Sequence, residues 1–284
     1  MRPRRAYKLA SLGRPALLEA VAEGMGLLVE HVGALERAAE RLRGEETPRA
    51  VEAISAIADE EAGKFLILLD VARCAYLDAA KKRDQLKRCA DHIAKGIYAR
   101  VADIRPADFA ELVRYVDLLR RNYYLDGPND VNWLFRNEIM AEREERLYVD
   151  YVETDEGDMW TSPRRYDDVG PRYPSGAVEL VGALSRAGMS DERALHVVAD
   201  TWRDFEPVPD THWQENVELT RATLEQLPAE VVSADLNDGD VGRIMQSWTF
   251  PLHSVDLKMS EEDVEQLRQR QRDWNPDGGA LADH

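Results

Sequence analysis

Scarcities in this 284-residue chain close off whole classes of protein. Cysteine occurs twice, at Cys74 and Cys89, in helix-like segments without metal-ligand spacing, so neither a disulfide framework nor a zinc site is indicated. Both read as small core residues. Basic residues are outnumbered, 37 Lys+Arg against 54 Asp+Glu, and the formal net charge of −17 repels a polyanion at long range. Any RNA contact must therefore use a local basic patch. The densest apolar run, Phe65 to Leu69, is far too short to span a bilayer, and the basic start MRPRRAYKLASLGRP leads into no apolar stretch of signal-peptide length. A cytoplasmic protein without membrane contact is expected. A P-loop, a G-x-G-x-x-G, a G-x-S-x-G and a Glu-x-x-His pair are all missing, which removes support for nucleotide hydrolases, serine hydrolases and di-iron helical bundles. No cofactor and no metal is called for.

What the chain has is helical periodicity, and 44% hydrophobic content is enough to build a core. From Pro15 to Arg43, Leu17, Leu18, Val21, Met25, Leu28, Val32, Leu35 and Leu42 recur at three- and four-residue steps. Thr47-Pro48 then reads as a cap followed by proline in the first helical position, opening a second helix to about Ala80. Its centre, FLILL, is apolar all the way round and must be enclosed. A third helix carries Leu86, Cys89, Ile93, Ile97 and Val101, and a fourth runs from Phe109 to Leu119 after Arg105-Pro106. Short connections favour an antiparallel bundle.

A turn at Asp126–Asp130, a helix from about Val131 to Arg146 and the β-prone stretch Leu147–Val152 complete a first unit over 1–152. Proline, glycine and acidic residues make 153–176 read as an irregular connector. Helices are expected near 177–188, 190–205, 212–227, 238–247 and 260–273, forming a C-terminal region over 177–273. Ser260 with Asp263 reads as a capping box for the last of them. The tail 274–284 reads as disordered.

Two segments carry candidate chemistry. The second helix holds Asp59-Glu60-Glu61-Ala62-Gly63-Lys64. Glu60 and Lys64 stand at i,i+4 and can pair, while Glu61 falls at the edge of the apolar stripe and should find a partner on another helix. Gly63 in mid-helix costs roughly 1 kcal/mol against alanine, which implies a close helix approach. The third helix and its approach hold Lys81, Lys82, Arg83, Lys87, Arg88, Lys95 and Arg100, opposed only by Asp84 and Asp91. On one continuous helix, Arg88, His92 and Lys95 share a face at i, i+4 and i+7. A histidine between two cations suits acid–base work on RNA, with the cations holding phosphate; a solvated basic face is the plainer alternative. His31 and His196 read as partly buried polar residues, and Trp202, Trp213, Trp248 and Trp274 as core residues or interface anchors.

The order of these pieces, EEAGKFLILL (60–69), DHIAK (91–95) and RLYVDY (146–151) followed by Trp160 and Pro163, resembles the AbiV family of abortive-infection proteins within the HEPN superfamily. The resemblance covers roughly residues 15–165. It implies an α-helical bundle, often dimeric, that acts as a phage-defence toxin, with metal-independent ribonucleases among its HEPN relatives. Carried over residue by residue, it marks Glu60, Glu61 and Lys64 of E-E-x-G-K and His92 and Lys95 of H-x-x-K. Catalytic HEPN domains place four to six residues between an Arg and a His, whereas three separate Arg88 from His92. The expected catalytic set is thus His92, Arg88, Lys95, Glu61 and Lys64, with Lys81, Lys82, Arg83, Lys87 and Arg100 as the RNA-binding surface. The alternative is a non-catalytic module that binds a phage or antitoxin protein.

Overall fold

In the computed structural model, residues 5–43, 48–125, 134–154, 157–162 and 174–273 are described. They form an all-α protein with two small antiparallel ribbons. Helix α1 (Arg14–Arg43) buries the expected stripe, with Leu17, Leu18, Val21 and Met25 fully enclosed. Helix α2 (Pro48–Arg73) returns antiparallel to it, Leu68 meeting Gly24 near the far end. Thr47, the expected cap, lies outside the described residues. Phe65 to Leu69 are all buried, none more than 7% exposed. An apolar circumference leaves no side for water, so α2 takes the middle of the molecule.

Helix α2 ends at Arg73, short of Ala80, because Asp78 caps a new helix α3 (Ala79–Lys87) by accepting the amides of Ala80 and Lys81. The single third helix expected over Leu86–Val101 is likewise divided. After α3 comes a 3-10 turn (Arg88–Ala90), and Asp91, with extended backbone, caps α4 (His92–Val101) through the amides of Ile93 and Ala94. A side chain that satisfies two orphan amides competes with continuation of the helix, and here it prevails. Arg88 and His92 therefore do not share a helix face. The expected fourth helix is α5 (Phe109–Leu119), with Asp108 as its cap.

Strand β1 (Tyr123–Leu125) pairs with β2 (Leu134–Arg136), so the helix expected from Val131 begins later, as α6 (Glu138–Leu147) with Asn137 as cap. The Asp126–Asp130 turn lies outside the described residues. Strands β3 (Asp150–Thr154) and β4 (Gly157–Thr161) form a hairpin, so the expected connector opens with regular structure, helped by Gly157 at φ +108°. Residues 163–173 and the tail 274–284 lie outside the described residues.

Helices α7 (Gly176–Arg186), α8 (Glu192–Thr201), α9 (Trp213–Glu225), α10 (Asp238–Ser247) and α11 (Val264–Asp273) match the expected C-terminal helices. Asp263 alone caps α11, taking the amides of Glu265 and Gln266, whereas the Ser260 backbone bonds to Arg120 and Asn122. These helices build no core apart. Leu180 and Leu184 of α7, Leu195 and Val198 of α8 and Ile244 of α10 belong to one hydrophobic cluster with α1, α2 and α4. Trp202, Trp213 and Trp248 are buried in it, and the Arg73 guanidinium lies 3.9 Å and 4.2 Å from the Trp202 and Trp248 ring centres. His31 is exposed rather than partly buried.

Candidate functional site

Helices α2 and α4 run parallel at very close range, with Glu60 opposite His92, Gly63 opposite Lys95 and Asp70 opposite Tyr98. The Gly63 Cα makes this possible, since a Cβ there would stand 2.1 Å from the Lys95 carbonyl oxygen. Helix α6 crosses both in the opposite sense, Ile139 against Gly96 and Arg143 against Glu60. Between the three helices lies a cavity of about 240 Å³.

Glu60 is its centre. One carboxylate oxygen is 2.9 Å from His92 Nδ1 and also accepts from Lys95 Nζ, and the other accepts from Arg143 Nε at 2.6 Å. Burial pushes the Glu60 carboxyl up, but the Lys95 hydrogen bond and charge, the Arg143 bond and the His92 charge outweigh it and hold the group below the usual carboxylate range. An ionised Glu60 accepts only, so His92 Nδ1 carries the proton that faces it, and Nε2 is left as the ring nitrogen able to take one.

The other cations of the cavity are also paired. Arg100 bonds to Glu142 and, at 3.3 Å, to Glu138. Arg146, only 9% exposed, gives Nη1 to Asp59 at 2.9 Å and stands 3.3 Å from Glu52. Each guanidinium thus has a carboxylate that an incoming anion must displace.

The expected site residues divide into three groups. His92 and Arg100 line the cavity, and Lys95 backs it through Glu60. Glu61 and Lys64 pair with each other at 3.2 Å on α2 and line no part of the cavity. This corrects two expectations, the Glu60–Lys64 pair and a partner for Glu61 on another helix. The carboxylate that crosses between helices is Glu60, because it stands three residues before Gly63 and shares the face of α2 that meets α4. Arg88 faces away: it donates to Gln85 Oε1 at 2.9 Å and to the carbonyls of Leu252 and Val255 at 2.7 and 2.6 Å, clamping the segment after α10. Lys81, Lys82, Arg83 and Lys87 belong to α3, apart from the cavity; Lys87 pairs with Asp84 at 2.6 Å and Arg83 lies over the Tyr7 ring.

Asp59, Glu142, Arg143 and Arg146 had no role in the sequence reading. Arg143 and Arg146 stand three residues apart on one helix face, but a run of alternating Glu and Arg reads first as solvent-facing ion pairs. Cys74 and Cys89 are buried and their thiols are pushed up to about 12 by burial, as core residues.

The arrangement is that of an all-α protein with a polar interhelical cavity organised by an imidazole–carboxylate pair. No family model, no curated protein and no solved structure matches the chain.

Proposed function

We propose that this protein is an RNA-cleaving effector of the abortive-infection type, with the cavity as its catalytic site and His92 as its general base. The observation that carries the reading is convergence. Three sequence elements that together resemble the AbiV pattern send side chains to one place: Glu60 from EEAGKFLILL, His92 and Lys95 from DHIAK, and Arg146 from RLYVDY. The HEPN-like bundle and the defence role rest on that resemblance, and the chemistry rests on the Glu60–His92 pair.

In the proposed reaction His92 Nε2 takes the proton of a ribose 2′-hydroxyl, and the 2′-oxygen attacks the adjacent phosphorus. The 5′-oxygen leaves and takes a proton from water, the His92 imidazolium returns its own proton to solvent, and the products are a 2′,3′-cyclic phosphate and a 5′-hydroxyl. Glu60 fixes the imidazole tautomer and stabilises the imidazolium that forms. Arg143 and Arg100 meet the charge growing on the phosphoryl oxygens, in exchange for Glu60 and Glu142. That exchange makes phosphate affinity modest and sensitive to salt.

Incubation of the purified chain with total RNA tests the reading. Fragments ending in 2′,3′-cyclic phosphate are expected, lost in His92→Gln with the fold intact by circular dichroism. A wild-type chain that leaves RNA whole overturns the reading. A second reading, docking of a phage or antitoxin protein, is favoured by the β3–β4 hairpin, where Tyr151 and Trp160 are 57% and 69% exposed. The buried Trp202, Trp213 and Trp248 are not available to it. Growth arrest that survives His92→Gln but is lost in Trp160→Ala would favour this second reading.

A further inference from the structure

Beside the His92 cavity lies a second one of about 190 Å³, and the two share Asp59, Arg146 and Ser175. Its walls combine apolar surface, from Ala39, Ala58 and Val178, with polar groups of both kinds. Arg146 Nη2 and Nε and Arg43 Nε are buried donors without a hydrogen-bond partner among the described residues, although Nη1 of Arg146 is bonded to Asp59 and Nε lies 3.3 Å from Glu52. Buried N–H groups left unbonded are costly, and a ligand that brings an acceptor removes that cost.

The lining charges decide which acceptor. The lining cations Arg43 and Arg146 are matched in number by the lining carboxylates Glu36 and Asp59, and Arg43 is already paired with Glu40 and Arg146 with Asp59, so the cavity offers no net attraction to a phosphate. A neutral, planar ligand with acceptors on one edge and donors on another fits it better. The volume is below that of pockets for drug-sized ligands, which suits a single heterocycle. Guanine has this pattern: O6 and N7 accept, and N1–H and the N2 amino group donate. Adenine turns an amino donor toward a guanidinium, and pyrimidines leave part of the cavity open.

Taking the RNA-cleavage reading as its ground for choosing an RNA base, we propose that this second cavity is a guanine-selective nucleobase pocket. Arg146 and Arg43 donate to O6 and N7, and Glu36 and Asp59 accept from N1–H and the N2 amino group. A base held there places its own 3′-phosphodiester toward the shared Arg146 wall and hence toward His92. Cleavage follows guanosine.

The test is equilibrium binding of the four nucleoside 3′-monophosphates to the full chain by calorimetry, together with mapping of RNA ends. Guanosine 3′-monophosphate should bind roughly 10- to 100-fold more tightly than the others, the discrimination of one good bidentate contact. Arg146→Lys can fail through loss of the Asp59 and Glu52 pairs, so the deciding variant is Ser55→Met, which fills the cavity and breaks no ion pair among the described residues. It should abolish the preference at unchanged melting temperature. Equal binding of all four nucleotides, no binding at millimolar concentration, or a guanosine preference that survives Ser55→Met overturns the pocket. The two proposals separate cleanly. Cleavage without base preference keeps the catalytic reading and overturns the pocket, and selective guanosine binding by a chain that cuts nothing does the reverse.

Discussion

Replacing Gly63 with alanine sets two effects of opposite sign against each other. In an open helix, Gly→Ala gains about 1 kcal/mol, because glycine loses more backbone freedom on folding. At Gly63 the new methyl would lie 2.1 Å from the Lys95 carbonyl oxygen and 2.9 Å from its carbonyl carbon. Carbon contacts settle near about 3.5 Å, so α4 must withdraw by on the order of 1 Å, and the obstacle is backbone, which cannot rotate aside. Overpacking of this kind costs about 1–3 kcal/mol, and the withdrawal also stretches the Lys95–Glu60 and His92–Glu60 contacts beside it. The packing cost prevails, with a net loss of about 1–2 kcal/mol and a fall in Tm of roughly 2–8 °C. Gly26 supplies the control, since nothing lies within 4 Å of a Cβ built there in mid-α1. Gly26→Ala should raise stability by up to about 1 kcal/mol. Thermal and urea unfolding of both variants are the assay. Shifts of the same sign, or a Gly63→Ala chain as stable as wild type, would refute the close approach as the reason for glycine.

Further outcomes follow from single groups. Glu60→Ala leaves the 6% exposed Lys95 without its carboxylate and should cost about 2–4 kcal/mol, whereas Glu61→Ala, which loses only a neighbouring Lys64, should cost less than about 1 kcal/mol by urea unfolding. Because the Glu60 carboxyl is held below its ordinary 4.5, its contribution is complete above that pH and lost as pH falls through the depressed value; Glu60→Gln should flatten this acid limb. Burial holds His253 below its ordinary 6.5, so the unfolded chain binds the proton first and stability falls as pH drops below 6.5; His253→Gln should remove that slope in a pH series of melts. Arg73→Ala strips the buried Asp70 of its cation and should cost about 3–5 kcal/mol, while Arg73→Lys, which keeps charge but gives up the guanidinium contacts with the Trp202 and Trp248 rings, should recover only part of it.

The sequence determined whatever depends on neighbours along one helix. Apolar residues at three- and four-residue steps made the chain all-α, FLILL had to be enclosed because it has no polar side, and Gly63 signalled a close approach because glycine in mid-helix is costly unless space demands it. Local capping was less legible: Asp91 lay inside a stripe that continued on both sides, and its hold on the Ile93 and Ala94 amides divided the helix. Only the tertiary structure decided which of two adjacent carboxylates reached across. Adjacent helical residues point about 100° apart, and beside FLILL, which is apolar all the way round, no single stripe says which of the two directions meets another helix. Packing against α4 selected the face that carries Glu60. Its partners His92, Lys95 and Arg143 stand 32, 35 and 83 residues away, and Arg143 comes from a helix whose own pattern points to solvent. A charge pair over such separations leaves no trace in local periodicity, because it is made only when burial of the apolar faces has brought the helices together.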